Sequence, residues 1–154
     1  MDRIRENFTE SIQTKIAAAE VLSENIQTAA QMLAICLLNG NKILACGNGA
    51  SAALAQLFVS HLMSRFETAR PSLPAIALTC DGNLMSSLSH YGKFEDVYAH
   101  QIRALGQQGD ILVLITTEED NRELIHAAEA ALSRDMTMVI LNTGYGGELA
   151  GLPG

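Results

Sequence analysis

Basic residues are scarce: 10 Lys and Arg stand against 17 Asp and Glu in 154 residues, a formal net charge of −7. Neutralising a row of phosphates takes a basic surface, so direct nucleic-acid binding is not expected. Charge of either sign makes up only 18% of the chain, while 48% is hydrophobic. A chain of this length and apolar fraction can bury a proper core, which excludes intrinsic disorder and a miniprotein held by disulfides. Long aliphatic runs are missing as well. The longest, Ile111-Leu112-Val113-Leu114-Ile115, falls far short of the ~20 residues that span a bilayer, so no membrane segment is expected. The start, Met1-Asp2-Arg3-Ile4-Arg5-Glu6, alternates charge and lacks the basic-then-apolar shape of a secretory signal. A cytoplasmic protein is the expectation. Cysteine is sparse too: Cys36, Cys46 and Cys80 are far apart with no Cys-x-x-Cys pair, and they read as reduced, small core residues.

Two helices precede any strand in the sequence pattern. Ile4, Phe8, Ile12, Ile16, Ala19 and Leu22 recur three or four apart, the period of an amphipathic helix over residues 2–22. Ser23 before Glu24 suits a new N-cap, and Ile26, Ala30, Leu33 and Leu37 carry a second helix to the stop at Asn39-Gly40. Then the period changes. Lys42-Ile43-Leu44-Ala45-Cys46 reads as a strand running into Gly47-Asn48-Gly49-Ala50-Ser51, after which Leu54, Phe58, Leu62 and Phe66 restore helical spacing. Arg70-Pro71-Ser72-Leu73-Pro74 breaks the chain before a second strand, Ala75–Thr79. A short helix near Asn83–Ser89, a longer one near Phe94–Leu105, a strand Ile111–Thr116, a helix Asn121–Ser133 and a strand Thr137–Asn142 follow. Strands alternating with helices through short loops predict a parallel sheet with helices on both faces. The glycine-rich end, Thr143 to Gly154, falls where another strand is expected, which leaves a sheet edge open.

Ligands of open parallel sheets bind at the carboxyl ends of the strands. Gly47-Asn48-Gly49-Ala50-Ser51, Cys80-Asp81-Gly82-Asn83 and Thr116-Thr117-Glu118-Glu119-Asp120 converge there. The first is the best anion cradle, since glycines let the N–H groups of a helix start approach an anion and Ser51 adds a hydroxyl. The same glycines also serve an ordinary strand-to-helix turn. No His/Glu or His/Cys cluster has metal-ligand spacing, so neither a metal nor another cofactor is expected.

Three stretches carry a family resemblance: Asn39 to Ser51, Arg65-Phe66-Glu67-Thr68-Ala69-Arg70-Pro71 to Leu78, and Arg134 to Met138 with Gly146-Gly147-Glu148-Leu149-Ala150-Gly151. Together they make the whole chain resemble the sugar isomerase (SIS) domain family, in the branch of the phosphoheptose isomerases and the DnaA initiator-associating proteins. Phe8-Thr9-Glu10-Ser11-Ile12-Gln13-Thr14 and the Arg65–Thr68 run look closer to the initiator-associating group. The resemblance implies a three-layer α/β/α, doubly wound, flavodoxin-like fold and a homotetramer with ligand sites at subunit interfaces. It also implies a single domain over 1–154, with a helical segment 1–40 and an α/β core 41–154. The family pattern continues past Gly154 with one more strand and a long helix.

The isomerase pattern places a His and, four residues on, a Glu on one face of the helix after the glycine loop. Leu57 and His61 stand there instead. Moving a proton between adjacent carbons needs a base, commonly with a metal or acid on the carbonyl; an aliphatic residue and a lone imidazole do not make that pair. The isomerases' phosphate loop, of the form Ser-Thr-Ser-Gly-Asn-Ser, here reads Thr116-Thr117-Glu118-Glu119-Asp120-Asn121. A carboxylate about 6 Å from a phosphate repels it by roughly 1–3 kcal/mol per unit of phosphate charge. As helix caps, the same acids would be favourable. Ser89-His90 replaces a usual Asn-Asp pair, with His90 expected in an exposed loop, and His100 and His126 show no partner in the sequence. No catalytic residue is therefore assigned. Gly47, Asn48, Gly49, Ser51, Thr116 and Thr117 remain the phosphosugar-binding candidates. The favoured expectation is a non-catalytic protein that binds DnaA and promotes its assembly at the chromosomal origin. The alternatives are a sedoheptulose 7-phosphate isomerase and a regulator that binds a phosphosugar without turning it over.

Overall fold

The computed structural model describes residues 2–118, 121–143 and 148–151. Glu119, Asp120 and the Gly146-Gly147 pair, on which part of the sequence reading rests, lie outside the described residues. By its contacts the chain divides into two units, Met1–Ala34 and Ile35–Gly154.

The first unit is helical. One continuous helix, α1, runs Asp2–Leu38, where the sequence pattern predicted two helices with a cap at Ser23. The correction has a local cause. No Pro or Gly occurs between residues 2 and 38, and the Ser23 hydroxyl donates to the Ala19 carbonyl one turn back. A serine satisfied in this way tolerates helical backbone and does not cap; Thr9 and Thr28 bond to Arg5 and Glu24 in the same manner. The apolar stripe of α1 is exposed in the unit, with Ile4, Phe8, Ile12 and Ile16 between 56% and 68% accessible. The helix also contains an 18-residue window of mean hydropathy 1.3, enough by length and composition to cross a membrane. Counting only unbroken aliphatic runs misses such a window.

The second unit holds the sheet. Its strands are β1 Ile43–Gly47, β2 Ala75–Ala77, β3 Ile111–Ile115 and β4 Thr137–Leu141, all parallel, in the order β2-β1-β3-β4. The connecting helices are α2 Ala50–Met63, α3 Gly82–His90, α4 Val97–Leu105 and α5 Arg122–Leu132, with a 3-10 turn Phe94–Asp96 leading into α4. Strand alternation sorts the core by residue parity. Leu44, Cys46, Leu112, Leu114 and Met138 pack with Leu88, Tyr98, Ile102, Leu124, Ala127 and Ala131 from α3, α4 and α5. The odd-numbered face of Ile43, Ala45, Ile111 and Val113 is buried as well, on the side where α2 packs against β1, β2 and β3. Both faces of the central strands are thus covered, which is why β1 and β3 are unbroken apolar runs. The chain goes from β1 to β2 on one side and crosses to β3 on the other, so the winding reverses between β1 and β3. That doubly wound order is the one expected.

The amino ends of β1 and β3 are pinned by one carboxylate. Asp110, 1% exposed, accepts from the Lys42 ammonium at 2.6 Å, the Lys42 amide at 3.0 Å and the Gln107 amide at 2.8 Å. Burial pushes the Asp110 carboxyl up. The Lys42 and Gln107 donors more than reverse this, and its pKa lies below the ordinary value.

Candidate functional site

A reversal of winding leaves a crevice at the carboxyl ends of the two strands beside it, here Gly47 of β1 and Ile115 of β3. Gly47 is required by close approach: a Cβ on it would lie 2.6 Å from the Ile115 carbonyl oxygen and 2.9 Å from the Ser51 backbone carbon. Gly49, the residue before α2, has φ +55°, a region that costs an L side chain strain. These glycines let α2 start directly over the end of the sheet, with Ser51 in its first turn and only 5% exposed.

Asn48 is held from both sides. The buried Tyr98 of α4 places its hydroxyl 2.7 Å from the Gly47 carbonyl and 2.7 Å from Asn48 Oδ1. Burial is the first cause holding the Tyr98 phenol well above its usual pKa, with Cys46 and Glu123 adding to it, so Tyr98 stays a neutral donor. On the other side Asn48 Nδ2 donates to Asn121 Oδ1 at 3.0 Å and to Glu123 Oε2 at 3.3 Å. Asn121 caps α5 by accepting from the Leu124 amide, and its own Nδ2 donates to Glu118 Oε2 at 3.3 Å. Thr116 is closed into a local turn: its hydroxyl donates to the Glu118 carbonyl and accepts from the Glu118 amide, both at 3.0 Å. A polar latch of Tyr98, Asn48, Asn121 and Glu118 therefore crosses the crevice from α4 to α5. Replacing Tyr98 with Phe is expected to remove one donor from this buried place and cost about 1–3 kcal/mol, measured as a lower urea midpoint with unchanged far-UV circular dichroism.

Of the sequence candidates, the fold brings Gly47, Asn48, Gly49, Ser51, Thr116 and Thr117 to this one end of the sheet. Their states differ. Asn48 and Thr116 already have protein partners, Thr117 is exposed, and Ser51 is a largely buried residue in the first turn of α2. Capping of α5 is corrected in detail, since Asn121 does it and Glu118 acts one step away through the Asn121 amide. The Cys80-Asp81 segment supplies an N-cap, with Asp81 Oδ1 accepting from the Leu84 amide. Tyr98, Asn121 and Glu123 were not assigned as site residues from sequence. Asn121 was legible as an N-cap residue before an amphipathic run, whereas Tyr98 reaches Asn48 from 50 positions away and leaves no local signal.

His61 belongs elsewhere in the unit. It lies ten residues after Ser51 on α2, about 15 Å along the axis, tilted against Phe66 with ring centroids 5.2 Å apart. With Phe58, Leu62, Phe66, Arg70 and Leu73 it lines an open pocket of about 470 Å³, and the Arg70 guanidinium caps the end of α2 through the His61 and Leu62 carbonyls. His90 is exposed as expected, but it ends helix α3 and does not sit in a loop. His126 does have a partner, Asp96 Oδ1 at 3.1 Å, which sequence spacing did not reveal. Among the described residues no group of three or more His, Cys, Asp or Glu side chains could hold a metal ion.

Comparison with known proteins matches residues 7–143 to the SIS domain. The DnaA initiator-associating protein DiaA of Photorhabdus laumondii is 56% identical over 155 aligned positions, covering 100% of this chain and 79% of the relative. DiaA of Yersinia pestis gives the same identity and coverage. Among solved structures, a phosphoheptose isomerase from Francisella tularensis superposes with a TM-score of 0.94 at 41% identity, covering 99% of this chain and 80% of that one. The phosphoheptose isomerase of Neisseria gonorrhoeae gives a TM-score of 0.92 at 38% identity with the same coverage.

Proposed function

The chain belongs to the SIS domain family, and from that premise we propose that this DiaA-like protein is a non-catalytic, cytoplasmic assembly factor that binds the replication initiator DnaA. The observation that carries this reading is 56% identity to proteins named as DnaA initiator-associating, over the full length of the chain. The crevice chemistry supports it. Leu57 and His61 occupy the positions where the isomerase pattern has His and Glu, and the carboxylates of the latch, Glu118 and Glu123, accept from the side-chain amides of Asn121 and Asn48. Asn48 and Thr116 are spent on protein partners, and Glu118 and Glu123 bring carboxylates to the same end of the sheet, a charge that opposes phosphate binding.

In this proposal the protein is a homo-oligomer, in the family's manner a tetramer, and the single SIS domain extends across 1–154. Several linked sites raise the effective concentration of a second bound DnaA without any new contact, which is the physical basis for promoting its assembly at the origin. The net charge of −7 suits a partner that itself carries a DNA-binding surface. A cytoplasmic place for α1 is supported by its pattern: Glu20 and Glu24 would be costly in hydrocarbon, where a central charge costs roughly 2.5–3.5 kcal/mol.

Affinity capture with purified DnaA tests the proposal. The tagged protein is expected to retain DnaA at more than one molecule per oligomer, and a parallel assay on sedoheptulose 7-phosphate is expected to show no turnover. Absence of any complex overturns the partner, and turnover at an ordinary enzymatic rate, abolished by His61→Ala, overturns the non-catalytic reading. A phosphosugar-binding regulator is the second reading, favoured by one observation, the tight Gly47–Gly49 turn that sets the start of α2 and Ser51 directly over the end of the sheet. Calorimetric titration with sedoheptulose 7-phosphate distinguishes it, with binding lost in Ser51→Ala.

A further inference from the structure

The dipeptide Asn-Gly occurs twice, at Asn39–Gly40 and at Asn48–Gly49. A glycine after asparagine leaves the next amide nitrogen unshielded by a Cβ, so that nitrogen can attack the asparagine side-chain carbonyl. The fold gives the two copies opposite surroundings. Asn48 is gripped at both ends of its amide: Oδ1 accepts from the Tyr98 hydroxyl, and Nδ2 donates to Asn121 and Glu123. Its Cγ cannot swing toward the Gly49 nitrogen unless the latch opens. Asn39 and Gly40 are both exposed, in the turn that ends α1. Gly40 has φ +79°, and a Cβ on it would meet nothing within 4 Å. The Asn39 side chain has no partner among the described residues. The attacking nitrogen donates to the Leu37 carbonyl at 3.1 Å, but this bond lies in the exposed last turn of a helix, where local opening costs little.

We propose that Asn39 is a site of spontaneous deamidation, and that the latch shields the same dipeptide at Asn48. In the first step the Gly40 nitrogen bonds to Asn39 Cγ, the Cγ–Nδ2 bond breaks, and ammonia leaves carrying the proton lost from the Gly40 amide. The product is a cyclic succinimide. Water then opens the ring at either carbonyl, giving aspartate or isoaspartate at position 39. Both place a carboxylate at the negative pole of α1, whose last turn has no basic residue to offset it. Isoaspartate also lengthens the main chain by a methylene between the Asn39 amide, bonded to the Ile35 carbonyl, and the Asn41 amide, bonded to the Cys36 carbonyl. That turn must then be rebuilt. The sheet is spared, because the Lys42 amide and ammonium stay on Asp110.

Peptide mapping of the full chain tests this. Trypsin cuts after Lys15, Lys42 and Arg65, so Asn39 and Asn48 fall in separate peptides, and fragment spectra separate Asn39 from Asn25 and Asn41. In mildly alkaline buffer the folded protein is expected to convert Asn39 at least about tenfold faster than Asn48, whose side chain must first give up its hydrogen bonds. In urea the two are expected to convert at similar rates. Labelling by an isoaspartyl methyltransferase is expected to mark position 39, and Asn39→Gln to abolish both the label and the acidic species on ion exchange. Tyr98→Phe, which takes the donor from Asn48 Oδ1, is expected to speed conversion at Asn48 and leave Asn39 unchanged. A folded protein that leaves Asn39 intact while the unfolded one converts it overturns the site. Equal rates at the two positions in the folded protein overturn the latch as a shield, and so does a Tyr98→Phe protein in which Asn48 converts no faster.

Discussion

Replacing Asp110 with Ala is expected to destabilise the α/β unit by about 3 kcal/mol, because removing the buried carboxylate leaves a partly buried ammonium and two amides without their acceptor. Four donors converge on this side chain: the Lys42 ammonium and amide, the Gln107 amide and, more distantly, the Asn41 side-chain amide. With them goes the tie between the residue before β1 and the residue before β3. At roughly 2–4 °C per kcal/mol for a chain of this size, the melting temperature is expected to fall by about 10 °C. Asp110→Asn keeps the shape, loses the ion pair and is expected to fall between wild type and Ala. The pH dependence has a definite sign. A carboxylate whose folded pKa lies below its unfolded value of about 3.9 stabilises fully above that value, and the contribution is lost as pH falls through the folded pKa. Stability of the wild type is therefore expected to drop more steeply than that of Asp110→Asn as pH goes from 5 toward 2, measured by urea titrations at each pH. Parallel curves for the two proteins would show that Asp110 is not a linked acid.

Gly47→Ala is expected to cost about 3 kcal/mol or more, at the upper end of overpacking changes. The three close neighbours of the added methyl are the Ile115 carbonyl oxygen, the Ser51 carbonyl carbon and the Ser51 Cβ, none of which moves with a side-chain torsion, so no rotamer change relieves the clash. Either β1 and β3 separate or α2 moves off the sheet, and in both cases Asn48 leaves Tyr98 and Asn121. Gly49→Ala is the matched control. Its Cβ would meet nothing within 4 Å, and only the φ of +55° opposes it, so a loss of about 1 kcal/mol is expected. Equal losses for the two variants, read from urea midpoints, would show that close packing is not what fixes Gly47. If the crevice has a role in DnaA retention, Gly47→Ala removes it and Gly49→Ala does not.

Particular elements show what the sequence carries. The period of the apolar residues placed β1, β3, β4 and α5 within a residue of their observed ends, and α4 with a start three residues early because Phe94–Asp96 is a 3-10 turn, since a strand covered on both faces and an amphipathic helix each leave a local signature. The placement of Gly47, Ser51 and Glu118 at the crevice was legible, because it follows from which residues end each strand. It was not legible where it depended on which side chains meet. His126 finds Asp96 across 30 positions, and Tyr98 reaches Asn48 across the sheet, because tertiary packing and not spacing brings those groups together.

The scarcity of basic residues, the presence of Leu at position 57 and His at position 61, and the alternation of strand and helix were determined by the sequence alone, because each is a matter of which residue stands where. Three things were decided only by the folded structure, two of them through local bonds and one, the hold on Asn121, through a contact 73 positions away. Ser23 bonds back into a continuous α1 and does not start a second helix; Asn121, held by Asn48 and Glu118, caps α5; and Thr116 turns its hydroxyl onto Glu118. In each case a polar side chain had more than one partner within reach, and the folded backbone selected the one whose geometry it could satisfy at least cost.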